Sequence, residues 1–363
     1  MMRRLTELTF VAVLAVTAGC RHVTLREQPV ESIDVRFDKT MLCPGETAQL
    51  TIWARTKDGQ LLGSENTEDG RVRWDSYRIT LNGQPMPDGR VTIPADPMQV
   101  QIPSRLDISV DGHAEVKTAF TMPIHFRCRF VADFRGQSGR DGASGRDGEA
   151  GRKGQDGKSY SVPGKGFQKD PGGNGTDGRD GSDGANGEAG RDAEDVEVRV
   201  TMAQPTPELR LLQVKVRGMQ SRREQVFLVD PEGGSLTVTA IGGEGGDGGR
   251  GGQGGRGGDA GDGEPDGNAG NGGNGGNGGD GADGGKGGRI IVSVSGAAQP
   301  YLNALQFDNR GGRGGNVGAP GAGGAGGSWG RNSTRWGQAG QSGRRDGREG
   351  QPGPKPEIRV DGV

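Results

Sequence analysis

Residues 245–288 read GGDGGRGGQGGRGGDAGDGEPDGNAGNGGNGGNGGDGADGGKGG, and the spacing of their glycines decides the fold. Every third residue from Gly246 to Gly288 gives 15 positions, of which 13 are Gly; Glu264 and Ala282 are the exceptions. The adjoining frame, Gly245 to Gly287, holds 12 Gly in 15, and the third frame, Asp247 to Arg289, holds none. A flexible linker would scatter glycine over all three frames. The repeat here is Gly-Gly-polar. A three-residue repeat implies a three-residue turn, which is the polyproline II geometry of about 3.1 Å per residue. Such a helix has no internal hydrogen bonds, so its N–H and C=O groups must bond to water or to a neighbouring helix of the same kind. Where two backbones touch, a Cβ would hold them apart, so two glycine rows read as two contacting edges.

Disorder is the alternative reading. Ordering costs roughly 1–2 kcal/mol per residue, glycine loses the most, and nothing apolar in the tract offsets that. The ordered reading resembles the polyglycine II bundles of the Gly-rich snow flea antifreeze protein and of some phage tail-tip adhesins. The resemblance covers the repeat only. The pattern fails at Ala260, Glu264-Pro265-Asp266 and Ala269, which predicts a chain reversal there and at least two antiparallel legs.

A second repeat, Gly-X-Y, runs from Gly136 to Gly190, with 16 Gly at 19 in-frame positions and one interruption at 158–171. It resembles bacterial collagen-like proteins, although residues 136–157 contain no Pro. Three readings stay open: the flank of a polyglycine II bundle, a collagen-like trimer, or disorder. A third tract is Gly at all seven in-frame positions from Gly312 to Gly330, followed by a looser stretch from Gly337 to Gly353.

The apolar residues are concentrated in two blocks. Residues 31–134 alternate in short runs (Ile33, Val35, Phe37; Leu50, Ile52, Ala54; Val72 to Leu81; Val91, Ile93; Val100, Ile102; Ile108, Val110; Ile124, Phe126). Turns are marked at Asn82-Gly83, Asp88-Gly89 and Asp111-Gly112. This predicts a β-sandwich of about seven strands, resembling the Ig-like domains of bacterial surface proteins. The second block, 193–310, predicts one small sheet (Val196 to Met202, Leu212 to Val216, Val226 to Val229, Leu236 to Ala240, Ile290 to Val294, Leu302 to Phe307) with 242–288 inserted between two of its strands. Residues 311–363 are the C-terminal tract, in which Ile358 and Val360 suggest an edge strand. The fold class is mainly β: an N-terminal sandwich, then a small sheet carrying polyglycine II-type legs.

Arg3 and Arg4, the apolar run Leu8 to Val16 and then Thr17-Ala18-Gly19-Cys20 resemble the signal peptide and lipobox of bacterial lipoproteins. That implies removal of residues 1–19, lipidation of Cys20, a tether over 20–30 and a place in the cell envelope, at the outer membrane or cell surface. An ordinary secretory signal is the other reading. One lipidated Cys of the 3 leaves Cys43 and Cys128. In an oxidising compartment they pair; otherwise they are two separate buried thiols.

Forty-five basic and 47 acidic residues, well mixed, leave no basic footprint for nucleic acid. His22, His113 and His125 sit at no metal-ligand spacing, and no catalytic, cofactor or metal site is expected. Weak calcium binding at Asp259, Asp262 and Asp266 is a minor alternative. Asn268, Asn271, Asn274 and Asn277 fall on one edge of the repeat at steps of roughly 9 Å. They form either a ladder for a glycan, ice or another copy of the chain, or a solvated face. Trp329 and Trp336 either stack on sugar rings or pack on the end of the bundle. The sequence thus predicts a non-enzymatic, lipid-anchored structural or adhesive protein, with a collagen-like trimeric stalk or a glycan- or ice-binding module as alternatives.

Overall fold

The computed structural model describes residues 22–68 and 70–361. The signal segment and Cys20 lie outside the described residues. The chain divides into two compact units, with the boundary in sequence between Phe126 and Arg127. No helix among the described residues is long and apolar enough to cross a membrane.

The first unit is a β-sandwich. Strands β1 (Val30–Phe37), β2 (Thr47–Thr56) and β3 (Leu61–Gly63) form one sheet, which β6 (Arg90–Thr92) joins on β2. The other sheet has the order β5 (Gln84–Pro85), β4 (Tyr77–Leu81), β7 (Ser104–Val110), β8 (His113–Met122). Alternation puts Leu50, Ile52, Ile79, Leu106 and Ile108 into one shared core. The turn signals hold: Asn82, Gly83, Gly89 and Gly112 all have positive φ. Three details differ from the sequence reading. Trp74–Ser76 is a 3-10 turn before β4 rather than part of one strand from Val72 to Leu81. Residues 100–102 form no strand, and Ile124 makes a single bridge to Leu42. The expected tether is also partly structured: Leu25 is fully buried in this core, and Val23 bridges Val72. Cys43 and Cys128 are disulfide-bonded.

The second unit has two sheets and six glycine legs. Strand β9 (Arg129–Asp133) belongs here, not to the sandwich, because it pairs in parallel with β15 (Ser235–Thr239). Its alternation would suit either sheet, so pattern alone could not assign it. Between them in sequence come β10 (Ser159–Val162), β11 (Gly166–Lys169), β12 (Val196–Thr206), β13 (Leu209–Gly218) and β14 (Glu224–Val229). After them come β16 (Ile290–Ser295), β17 (Leu305–Asp308) and β18 (Glu357–Asp361). One sheet has the order β17-β15-β9 and the other β14-β13-β12-β16-β18, while β10 and β11 form a separate hairpin. Val198, Val214, Leu236, Val238, Ile290 and Val292 fill the core of this unit.

The 242–288 insertion therefore does not leave and re-enter one sheet. It leaves β15 of the three-stranded sheet and enters β16 of the five-stranded one. The reason lies in the legs, A (136–157), B (172–192), C (242–261), D (267–288), E (311–327) and F (337–353). Strands β9, β15 and β17 run straight into legs A, C and E. Legs B, D and F run straight into β12, β16 and β18. Each set of three parallel strands continues as three parallel legs, and the two layers run in opposite directions. From β9 and β15 into legs A and C, and from β12 and β16 into legs B and D, register passes through unbroken. Val131 lies opposite Thr237 in the sheet, and farther on the Asp247 N–H donates to Asp141 Oδ1, each pair being 106 residues apart. The other sheet keeps a step of 94, from Val198–Val292 to Asn274 on Asp180.

Candidate functional site

Two kinds of bond build the legs. Leg C shows both. Gly243, Gly246 and each third residue to Gly261 donate to leg B carbonyls, from Arg191 to Gly173, at 2.8–2.9 Å. Gly242, Gly245 and their frame donate to leg E, from Arg310 to Ser328, at 2.8–3.0 Å. Its carbonyls in turn receive N–H groups from legs A and D, as in Gly142 to Asp247 and Gly279 to Gly249. An inner leg therefore has four neighbours, not the two expected from two glycine rows. Legs C and D hold these inner places, which is why they carry the strict Gly-Gly-X spelling. A Cβ on Gly252 would land on the carbonyl oxygen of Arg146, and one on Gly276 on that of Ser182.

The Gly-X-Y tracts are the flank. Leg A bonds to B and C, and leg B to A, C and D. The predicted reversal is present: leg C ends at Gly261, residues 263–266 turn, and leg D begins at Gly267, whose N–H returns to the Gly261 carbonyl.

The Asn ladder has a different place from a free surface row. The third N–H of each triplet has no glycine partner, and at many triplets a short Asp or Asn side chain caps it. Asp177, Asp180 and Asp183 on leg B accept from the backbone N–H of Asn271, Asn274 and Asn277, at 2.5–2.6 Å. Those three Asn side chains accept in turn from the N–H of Arg335, just before leg F, and of Gln338 and Gln341 on it, at 2.8–3.0 Å. Asn268 donates its N–H to Asn174. The polar row is thus a cross-brace over legs B, D and F. The acceptor oxygens of Asn271, Asn274 and Asn277 are engaged within the molecule, by partners that the row itself does not name.

All three reversals that join legs A to B, C to D and E to F lie at one end of the bundle, remote from the sheets. The first is the β10–β11 hairpin, which occupies the interruption at 158–171. The second is the 263–266 turn. The third is residues 328–336, which contain Trp329 and Trp336. Bonds tie them together: Lys169 pairs with Asp262, Glu264 N–H donates to the Asp170 carbonyl at 3.1 Å, and Arg331 N–H to the Gly267 carbonyl at 3.1 Å. Asn332 bonds both the N–H and the C=O of Ala269. On this end sit four exposed aromatic residues: Phe167 (86%), Trp329 (84%), Trp336 (74%) and Tyr160 (46%). Neither Trp packs onto the end of the bundle.

Asp259, Asp262 and Asp266 line a cavity of about 460 Å³ at this end, with Lys153, Ala260 and Trp329. Among the described residues these three do not form a group whose ligand atoms converge within 4.8 Å, so the cavity does not have the build of a cation site. Cations already face the carboxylates: Arg256 bonds Asp259 at 2.8 Å, Lys169 pairs with Asp262, and Lys153 bonds Asp156 at 2.9 Å. The Lys153 bond holds the Asp156 carboxyl below the usual range.

At the sheet end of the bundle, Asp133 and Asp308 repeat one motif. Each accepts from the Arg two residues on, Arg135 at 2.9–3.2 Å and Arg310 at 2.8–3.3 Å, where strand becomes leg. The hydrogen bond from Arg135 holds Asp133 down at about 2 against the opposing effect of burial, and Arg310 lowers Asp308 in the same way. The chain matches no protein-family model, no curated protein and no solved structure.

Proposed function

We propose that this chain is an exported, lipid-anchored, non-catalytic surface protein. Its glycine bundle is a stiff, hydrated stem, and the three reversals at the end of that stem make an adhesive contact. The observation that carries this reading is the gathering of Tyr160, Phe167, Trp329 and Trp336, exposed, on the end remote from the sheets. Aromatic side chains combine a large apolar area with few rotatable bonds, and clustered on a surface they favour partner contact. Stiffness follows from the bonding. Legs of about 53–68 Å are pinned to their neighbours at every triplet, and sheets fix one end of each. The lipobox-like Thr17 to Cys20 supplies the anchor. A collagen-like trimeric stalk is less well supported, because the in-frame Gly N–H groups of 136–157 already bond within the chain.

Two measurements test this. Cys20→Ser should release the protein from membranes, and unchanged membrane fractionation would sink the anchor. Replacing the four tip aromatics together by Ser should abolish adherence of cells displaying the protein to their target surface, with the melting profile unchanged. Adherence at the original level would sink the tip.

A further inference from the structure

We propose that the cavity beside Trp329 is a binding cleft for an uncharged pyranose sugar; the inference rests on the tip reading above and names its ligand class. A pyranose presents two chemistries. Its axial C–H groups make an apolar face that lies on an aromatic ring, and its equatorial hydroxyls make a polar rim that seeks carboxylate acceptors. The cleft offers both, at a volume of about 460 Å³, within the common range of small-ligand sites.

The apolar element is Trp329. Its indole is 84% exposed, and its backbone has a φ of 68°, which non-glycine residues seldom adopt. The segment around it is held firmly. Ser328 N–H donates to Asp259 at 2.8 Å, and Asn332 clasps Ala269. The chain therefore holds an indole outward in a disfavoured conformation instead of burying it.

The polar elements are Asp259, Asp262 and Asp266, each with one oxygen pinned and the other open. Asp259 Oδ1 accepts from Arg256 Nη2 and Ser328 N–H, Asp262 Oδ2 pairs with Lys169, and Asp266 Oδ1 accepts from Gly263 N–H at 3.0 Å. The second oxygen of each has no bond among the described residues and is available to a hydroxyl. A fixed carboxylate with a free oxygen accepts a hydroxyl without first losing side-chain entropy. Arg256 and Lys169 offset the charges of Asp259 and Asp262, and the three carboxylates do not converge as a cation site would, so the cleft suits a neutral polar ligand better than a metal ion.

The test is calorimetric titration of the full chain with maltotriose, cellotriose, chitotriose and galactobiose. At least one of these saturates the protein, and Trp329→Ala weakens that binding at least about tenfold. Trp329→Gly, which suits the positive φ, does the same with the melting profile retained. Asp266→Ala weakens it several-fold, and Trp336→Ala leaves it within about twofold. Saturation by none of the four sugars, or binding that survives Trp329→Ala, overturns the proposal. The adherence assay separates the two claims. Lost adherence of the four-aromatic variant without sugar binding overturns the cleft and leaves the adhesive tip. Sugar binding at Trp329 with adherence intact does the reverse.

Discussion

The sandwich and the leg bundle are held together by opposite means. In the first unit, Leu50, Ile52 and Ile108 exclude water from a shared core, and stability follows from apolar area removed from solvent. In the bundle no such core exists between legs. Stability there comes from backbone hydrogen bonds repeated at each triplet, each contributing about 0.5–1.5 kcal/mol net, on a chain type with the highest ordering cost. The bundle is ordered because its cost is shared. Sheets fix one end of every leg and set its register, so a leg is a continuation of a strand and not a free chain. The lesson is that bulk stabilises one half of the molecule and absence of bulk stabilises the other.

Register gives the largest way to break that contrast. One residue inserted between Gly252 and Gln253 shifts half of leg C against four neighbours at once. It should abolish hydrogen-exchange protection across legs A to E while sparing the sandwich. The chain already carries its own control. Along leg F the donor step onto leg D changes from 64 to 65 between Gln341 and Arg348, an extra residue accommodated on an outer leg at Arg344 to Asp346. A further residue inserted there should leave protection of leg C intact. Equal damage at both places would refute the distinction between inner and outer legs.

Bulk gives the next effect. Gly252→Ala adds one methyl against the Arg146 carbonyl and should cost about 3 kcal/mol or more, because backbone, unlike a flexible side chain, cannot move aside. Leu50→Ala removes three carbons from the sandwich core and should cost about 2–5 kcal/mol. Thermal unfolding followed by segment-resolved hydrogen exchange should place each loss in its own unit. A Gly252→Ala protein that melts normally would mean the legs are looser than their bonds imply.

These contrasts explain what could be read beforehand. The frame separation at 245–288 marked the inner legs, since only a leg touched on several sides needs two glycine rows. The failure at Glu264-Pro265-Asp266 marked the reversal, since those residues break the period. The sandwich showed in its alternation. Partners 94 or 106 residues apart in parallel layers were not legible, because nothing near Val131 or Ile290 says which sheet it joins. The Asn row at 268–277 was visible as a row but not as a brace. Its partners at Asp177 to Asp183 and Arg335 to Gln341 belong to tracts whose register only the sheets define. Trp329 and Trp336 were visible, but their company with Tyr160 and Phe167 depends on all three reversals falling at one end.

The brace predicts a smaller loss. Asp180→Ala uncaps the N–H of Asn274 and should cost about 1 kcal/mol, and Asp180→Asn, which keeps an acceptor, should restore most of it. If Asp180→Ala leaves the melting temperature unchanged, water serves the third N–H as well as the side chain does.

The smallest effect is one of acidity, and it sharpens where the two halves of the second unit join. Asp133 and Asp308 have lowered folded-state pKa values, Asp133 at about 2, because Arg135 and Arg310 favour the charged carboxylates. An unfolded Asp titrates near 3.9, so between about pH 4 and pH 2 the unfolded chain binds more protons than the folded one. The stabilisation is therefore fully present above about pH 4 and is lost as pH falls through the folded value. Both carboxylates are partly exposed, so the loss is modest and salt weakens it. The comparison that isolates it is the double variant Asp133→Asn with Asp308→Asn. Its melting temperature should fall less steeply than that of the native chain between pH 4 and pH 2, and the gap between the two should narrow with acid. Parallel curves would place the acid sensitivity outside this pair of Asp–Arg motifs.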